Sequence, residues 1–197
     1  MNLPNKLTIF RIILVPIMVI IPFFNIQGEF WGVPISMWVI NLIFILASIT
    51  DKLDGTIARK TNQITTFGKF LDPIADKILV IAAMTMLVEM AKLPAWIPII
   101  VITREFIVSG YRLVAVEKGG EVIAASIWGK LKTVTQMLAI ILAFVDVNGF
   151  GAFLTTELTG GALELNVLAT GLMFISVIAT IFSGWDYVKN GKELLKD

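Results

Sequence analysis

Apolar residues gather into six long stretches, near 8–24, 34–57, 68–91, 95–116, 124–146 and 166–188. Each is close to the ~20 residues that a helix needs to cross a bilayer. The breaks between them carry turn chemistry: 25–33 with Gly28 and Gly32, 60–67, the Lys92-Leu93-Pro94 step, Gly119-Gly120, and the glycine-rich stretch 148–161. This alternation predicts an all-α polytopic membrane protein, one domain over 1–197, with six transmembrane helices. Met1 to Lys6, with Pro4, reads as a short interfacial segment leading into the first span. The first span carries Pro16 and Pro22 and lacks a small-residue cleavage site, so it reads as a retained helix. Pro73 is expected in the first turn or so of the third helix, where proline is tolerated. The 148–161 stretch has no phosphate-binding glycine pattern and reads as a loose outer loop.

Composition strengthens the membrane reading. The chain is 57% hydrophobic and 16% charged, with mean hydropathy +0.87; a soluble domain carries about 25% charged residues. Trp31, Trp38, Trp96, Trp128 and Trp185 fall near the proposed span ends, as interfacial anchors do. Basic residues set the orientation. With the N-terminus inside, Lys6, Arg11, Arg59, Lys60, Lys69, Arg112, Lys118, Lys130, Lys132, Lys189, Lys192 and Lys196 fall on the inner side. The outer loops hold Lys92 with Glu29, Asp146, Glu157 and Glu164. Both termini are therefore expected in the cytoplasm.

The chain has no cysteine and no histidine. Disulfides, zinc–thiolate sites, thiol nucleophiles and imidazole bases are excluded. Metal chemistry must use oxygen ligands, which favour hard ions such as magnesium or manganese. The carboxylates for it stand where a membrane should not tolerate them. Asp51 and Asp54 close the second span, and Asp72 and Asp76 open the third. On a helix the first pair lies about 60° apart and the second about 40°, so each pair shares a face. Gly68 stands in the row of Asp72 and Asp76, and Gly55 and Ala58 lie on the face of the first pair. A carboxylate in the membrane costs about 2.5–3.5 kcal/mol, and four clustered ones repel each other. One or two divalent cations would relieve both. The competing reading is that the aspartates cap helices or pair with Lys52, Lys69 and Lys77.

The pattern D-x2-D-G-x2-A-R-x8-G-x3-D-x3-D, filled by Asp51, Asp54, Gly55, Ala58, Arg59, Gly68, Asp72 and Asp76, resembles the signature of the CDP-alcohol phosphatidyltransferases. The resemblance implies two metal ions, Mg2+ or Mn2+, on Asp51, Asp54, Asp72 and Asp76, with Asp76 also the base on the acceptor hydroxyl. It implies nucleotide and pyrophosphate contacts at Asn5, Gly55, Arg59, Thr65 and Gly68. The acceptor oxygen would attack the phosphorus that carries diacylglycerol, and CMP would leave.

A second cluster lies in the fourth and fifth spans. Arg104 and Arg112, eight residues apart, differ by roughly 80° and about 12 Å in rise, so both reach one anion only through long side chains. Glu105 is placed to orient one arginine. Lys130 and Lys132 do not share a helical face, so at most one points at a common site. The segments Asn2–Arg11, 66–77, Arg104-Glu105-Phe106 with 109–112, and 129–133 with Gln136 are similar to those of one branch of the family, the bacterial phosphatidylglycerophosphate synthases. That implies CDP-diacylglycerol as donor and sn-glycerol 3-phosphate as acceptor, with Arg104, Arg112 and Lys130 on the acceptor phosphate. It also implies a homodimer in the bacterial inner membrane, a cytoplasmic active site and no nucleic acid. Serine or inositol phosphate as acceptor is the nearest alternative. A divalent-cation transporter is the rival from another class, though the adjoining arginines would repel a permeating cation.

Overall fold

The computed structural model describes residues 2–60, 66–117 and 126–191. Six α-helices dominate: α1 Leu3–Ile20, α2 Ile35–Lys60, α3 Thr66–Glu89, α4 Trp96–Glu117, α5 Ile127–Val145 and α6 Gly160–Asn190. Short 3-10 turns occupy Ile21–Phe24 and Ala152–Leu154.

The helix ends depart from the sequence reading in four places. α1 begins at Leu3, so the expected entry segment is continuous with it; Pro4 sits in the first turn, where its missing N–H has no helical acceptor to lose. The break at 25–33 holds a hairpin, with strand β1 Glu29–Phe30 antiparallel to β2 Val33–Pro34. Trp31 and Gly32 turn it, both with positive φ (56° and 72°), the geometry that matches strand twist. Trp31 stacks on Phe30, and the Trp38 Nε1–H donates to the Phe30 carbonyl at 3.1 Å. Pro73 stands well inside α3, not in its first turn, because the helix already starts at Thr66. α6 begins at Gly160, earlier than hydropathy alone suggests.

The chain forms two compact units, one of Met1–Lys92 with Ile141–Gly149, the other of Leu93–Ile140 with Phe150–Asp197. In the first, α1 packs on α2 and α3, and α2 on α3. Thr8, Arg11, Val15 and Met18 form the buried stripe of α1. Ile40, Phe44 and Ala47 are buried on α2, and Ala75, Leu79, Ala83 and Leu87 on α3. These spacings of three and four are those of one helical face. In the second unit α4 packs on α6. The buried face of α6 mixes Met173, Val177 and Tyr187 with small polar residues, of which Ser176, Thr180 and Ser183 are wholly enclosed; small residues let membrane helices approach closely.

The loop after α5 is tied down, contrary to the expectation of a loose segment. In the first unit Asp146 Oδ1 accepts from the Asn148 amide at 2.9 Å. In the second, the Gly151 amide donates to Thr170 Oγ1 and the Phe153 amide to Asn166 Oδ1, both at 3.0 Å.

Leu42, Ile99, Phe106, Leu113 and Ile127 are more than half exposed. So many bare apolar side chains suit lipid, not water. Among the described residues, three helical segments are long and apolar enough to cross a membrane: Asn5–Phe24, Ile127–Val145 and Gly160–Lys189. Ile35–Thr50 of α2 is a shorter apolar stretch, and α4 carries Arg104, Glu105 and Arg112 within its apolar run. The protein is a mostly helical membrane protein.

Candidate active site

The first unit carries the aspartates. The helix is unbroken through Asp51 and Asp54 on α2 and through Asp72 and Asp76 on α3, so the i,i+3 and i,i+4 spacings place each pair on one face. α2 and α3 pack together. Asp76 is half-buried. The side chains of Asp51, Asp54, Gly55, Arg59, Gly68 and Asp72 lie outside those described, and Thr65 lies outside the described residues altogether. Asn5 is buried on α1 at 7% exposure. Among the described residues no group of three or more carboxylates gathers. The donor set nonetheless fits a hard divalent ion, since two packed helices offer oxygen ligands alone at helical spacing.

The second unit holds a polar network around Arg104. Its Nη1 donates to Glu105 Oε1 at 3.0 Å, and its Nη2 to Ser183 Oγ at 2.5 Å. Lys132 Nζ, from α5, meets the same Glu105 oxygen at 2.5 Å. The Arg104 guanidinium carbon lies 5.8 Å from the centre of the Tyr187 ring, and that of Arg112 lies 5.5 Å from it. Arg112 Nη2 donates to the Tyr187 hydroxyl at 2.8 Å. Tyr187 thus joins two arginines that helical geometry alone set about 12 Å apart in rise.

Glycine shapes the seat of Arg104. A Cβ on Gly184 would stand 3.3 Å from Arg104 Cγ, a tight contact, whereas one on Gly129 would make only ordinary contact with Ser183 Oγ at 3.5 Å. Arg104 Nε is buried without a hydrogen-bond partner among the described residues, so one donor is unspent. Lys130 is exposed and takes no part in this network, whereas Lys132 is buried at 8% exposure. Lys132, not the Lys130 expected on the acceptor phosphate, is thus the lysine of this network. Of the α6 partners, Tyr187 is marked in the sequence only by its place near the end of the last span, where it could line a cavity, and Ser183 carries no signal.

The aspartate pattern agrees with the relationships of the whole chain. The family model described as CDP-alcohol phosphatidyltransferase matches residues 1–182, and the chain belongs to that family. It is a phosphotransferase of membrane lipid chemistry. Among curated proteins it is 40% identical to the CDP-diacylglycerol–glycerol-3-phosphate 3-phosphatidyltransferase of Bacillus subtilis, over 99% of this chain and 97% of that one. The protein of the same name from Haemophilus influenzae is 39% identical, over 100% of this chain and 96% of its own. The one from Rickettsia typhi is 35% identical, over 95% and 96%.

Proposed function

We propose that this protein transfers the phosphatidyl group of CDP-diacylglycerol to sn-glycerol 3-phosphate, giving phosphatidylglycerol phosphate and CMP. Kinship along the whole chain supports the donor. One observation carries the acceptor: the second unit sets three cations, Arg104, Arg112 and Lys132, against one carboxylate, Glu105. Two positive charges remain, and a phosphate monoester carries about −1.5 to −2 at neutral pH. The unspent Arg104 Nε is a ready donor to it, and planar guanidinium groups suit phosphate oxygens. Serine would not need the surplus.

The mechanism follows from the chain's own residues. The acceptor hydroxyl attacks the phosphorus that bears diacylglycerol, the bond from that phosphorus to the bridging oxygen of the pyrophosphate breaks, and CMP departs with that oxygen. With no imidazole in the chain, a carboxylate is the natural base, and the family pattern gives that role to Asp76, which takes the hydroxyl proton. Asn5, Gly55, Arg59, Thr65 and Gly68 receive the nucleotide and pyrophosphate, with Gly55 leaving the helix surface open to the base. Divalent ions, two in this reading, would be held by Asp51, Asp54, Asp72 and Asp76 and would offset the charge of the pyrophosphate. The working enzyme is read as a homodimer with six spans, both termini and the active site on the cytoplasmic face of the bacterial inner membrane.

The test is CMP release in detergent from CDP-diacylglycerol with magnesium or manganese. Release should depend on glycerol 3-phosphate, and Asp76→Asn should slow it by about 10²–10⁴-fold, the usual share of a general base. Faster release with serine or inositol phosphate would overturn the acceptor, and an undiminished Asp76→Asn would overturn the base.

A further inference from the structure

Arg11 is a cation of the first unit that the proposed mechanism leaves unused. It is 0% exposed and among the largest wholly buried side chains of the protein. It sits on the stripe of α1 with Thr8, Val15 and Met18, while Phe10, Ile13, Ile17 and Ile20 on other faces are exposed. The main helical neighbours of α1 are α2 and α3. A guanidinium does not deprotonate in a protein, and removing it from water costs several kcal/mol unless anions or acceptors meet it.

Register indicates which anions are level with it. α1 returns through the 3-10 turn and the hairpin to the start of α2, so the start of α1 lies towards the end of α2. α2 and α3 are joined by the short 61–65 connection. At ~1.5 Å per residue, Arg11 stands about 12 Å along α1 from Leu3. Asp51 and Asp54 stand about 13 and 9 Å back from Lys60, and Asp72 and Asp76 about 9 and 15 Å in from Thr66. With Leu3, Lys60 and Thr66 taken as level on that side, all lie within roughly one helical turn of the depth of Arg11. The other carboxylates of this unit are elsewhere: Glu29 is exposed on the hairpin, Glu89 is exposed at the far end of α3, and Asp146 holds Asn148 beyond α5.

We propose that Arg11 is a positioning residue for the aspartate cluster, an internal positive charge that holds the four carboxylates together before metal arrives. The proposal rests on the metal reading above. Four carboxylates and one guanidinium leave three negative charges instead of four, so the metal-free state repels itself less. Arg11 and a bound divalent ion then do overlapping work, and losing Arg11 should matter most when metal is absent.

The measurement is the melting temperature of the full chain in detergent, with and without saturating Mn2+ as the probe. Arg11→Met should melt lower than the parent without Mn2+, and Mn2+ should close most of that gap. Arg11→Lys, which keeps the charge, should show a Mn2+-induced rise close to the parent's. A deficit in Arg11→Met that is the same with and without Mn2+, or a Lys variant as damaged as the Met one, would overturn the proposal. If Arg11→Met does not fold, adding Asp76→Asn should restore folding by removing one negative charge; no restoration counts against it. No Mn2+-induced rise in the parent would sink the metal reading itself, whereas a parental rise with an unchanged Arg11→Met gap would sink only the role of Arg11.

Discussion

Arg104 is held by a carboxylate on its own helix, a serine on α6 and the face of a tyrosine. Such support matters because a flexible cation loses rotamer entropy on gripping a phosphate, and a prearranged one has lost it already. Gly184 tests the idea. Gly184→Leu puts a side chain where Arg104 Cγ now passes at 3.3 Å from an added Cβ. The protein should still fold, the KM for glycerol 3-phosphate should rise about tenfold, equivalent to ~1.4 kcal/mol, and the KM for CDP-diacylglycerol should hold. An equal rise for both would separate Arg104 from the acceptor. At this scale the sequence was partly readable. The aspartates announce themselves because carboxylates inside an apolar span need a reason. Lys130 and Lys132 look alike in a sequence, and only the rotation of α5 buries the second.

At the scale of elements, Lys92 shows how one residue closes a helix. It follows α3, and its Nζ donates to the carbonyls of Phe144 and Asp146 at 3.1 and 2.6 Å, with Ala143 at 3.5 Å. These are orphan acceptors at the end of α5, where a cation also meets the negative end of the helix dipole. Hydropathy marked Lys92 as the one outer cation without showing this role. Burial pushes its ammonium below its ordinary pKa, and Asp146 opposes the shift. The unfolded chain therefore binds that proton more firmly. Between the lowered value and about 10.5, stability should rise with pH through this group. Lys92→Met should lose about 1–3 kcal/mol at neutral pH, for charged hydrogen bonds broken and carbonyls left unpaired, and should flatten the alkaline rise. Thermal melts across pH check both; a variant as stable as the parent at neutral pH would remove the capping role. Helix number and type were legible at this scale because apolar runs of membrane length have few alternatives. Helix ends were less so. The hairpin at Glu29–Pro34 depends on positive φ at Trp31, a residue that advertises no such turn.

For the whole molecule, the basic residues predict an orientation that can be read directly. An enzyme reporter active only outside the cytoplasm should be active when fused after Trp31, Lys92 or Phe153, and silent after Lys60, Glu117 or Lys196. The reverse pattern would put the aspartates on the wrong face for a cytoplasmic nucleotide. What the sequence determined by itself was class and chemistry: a helical membrane protein with no imidazole or thiol, and four carboxylates at helical spacing in a phosphotransferase pattern. Those features are local, written in hydropathy, spacing and residue type. Only the tertiary structure decided which distant side chains share a partner. It brought Ser183 and Tyr187 of α6 to Arg104 and Arg112, chose Lys132 over Lys130, and buried Arg11 on the face of α1. Such choices depend on how helices rotate and pack, and that is set by the fit of whole surfaces, which no local pattern records.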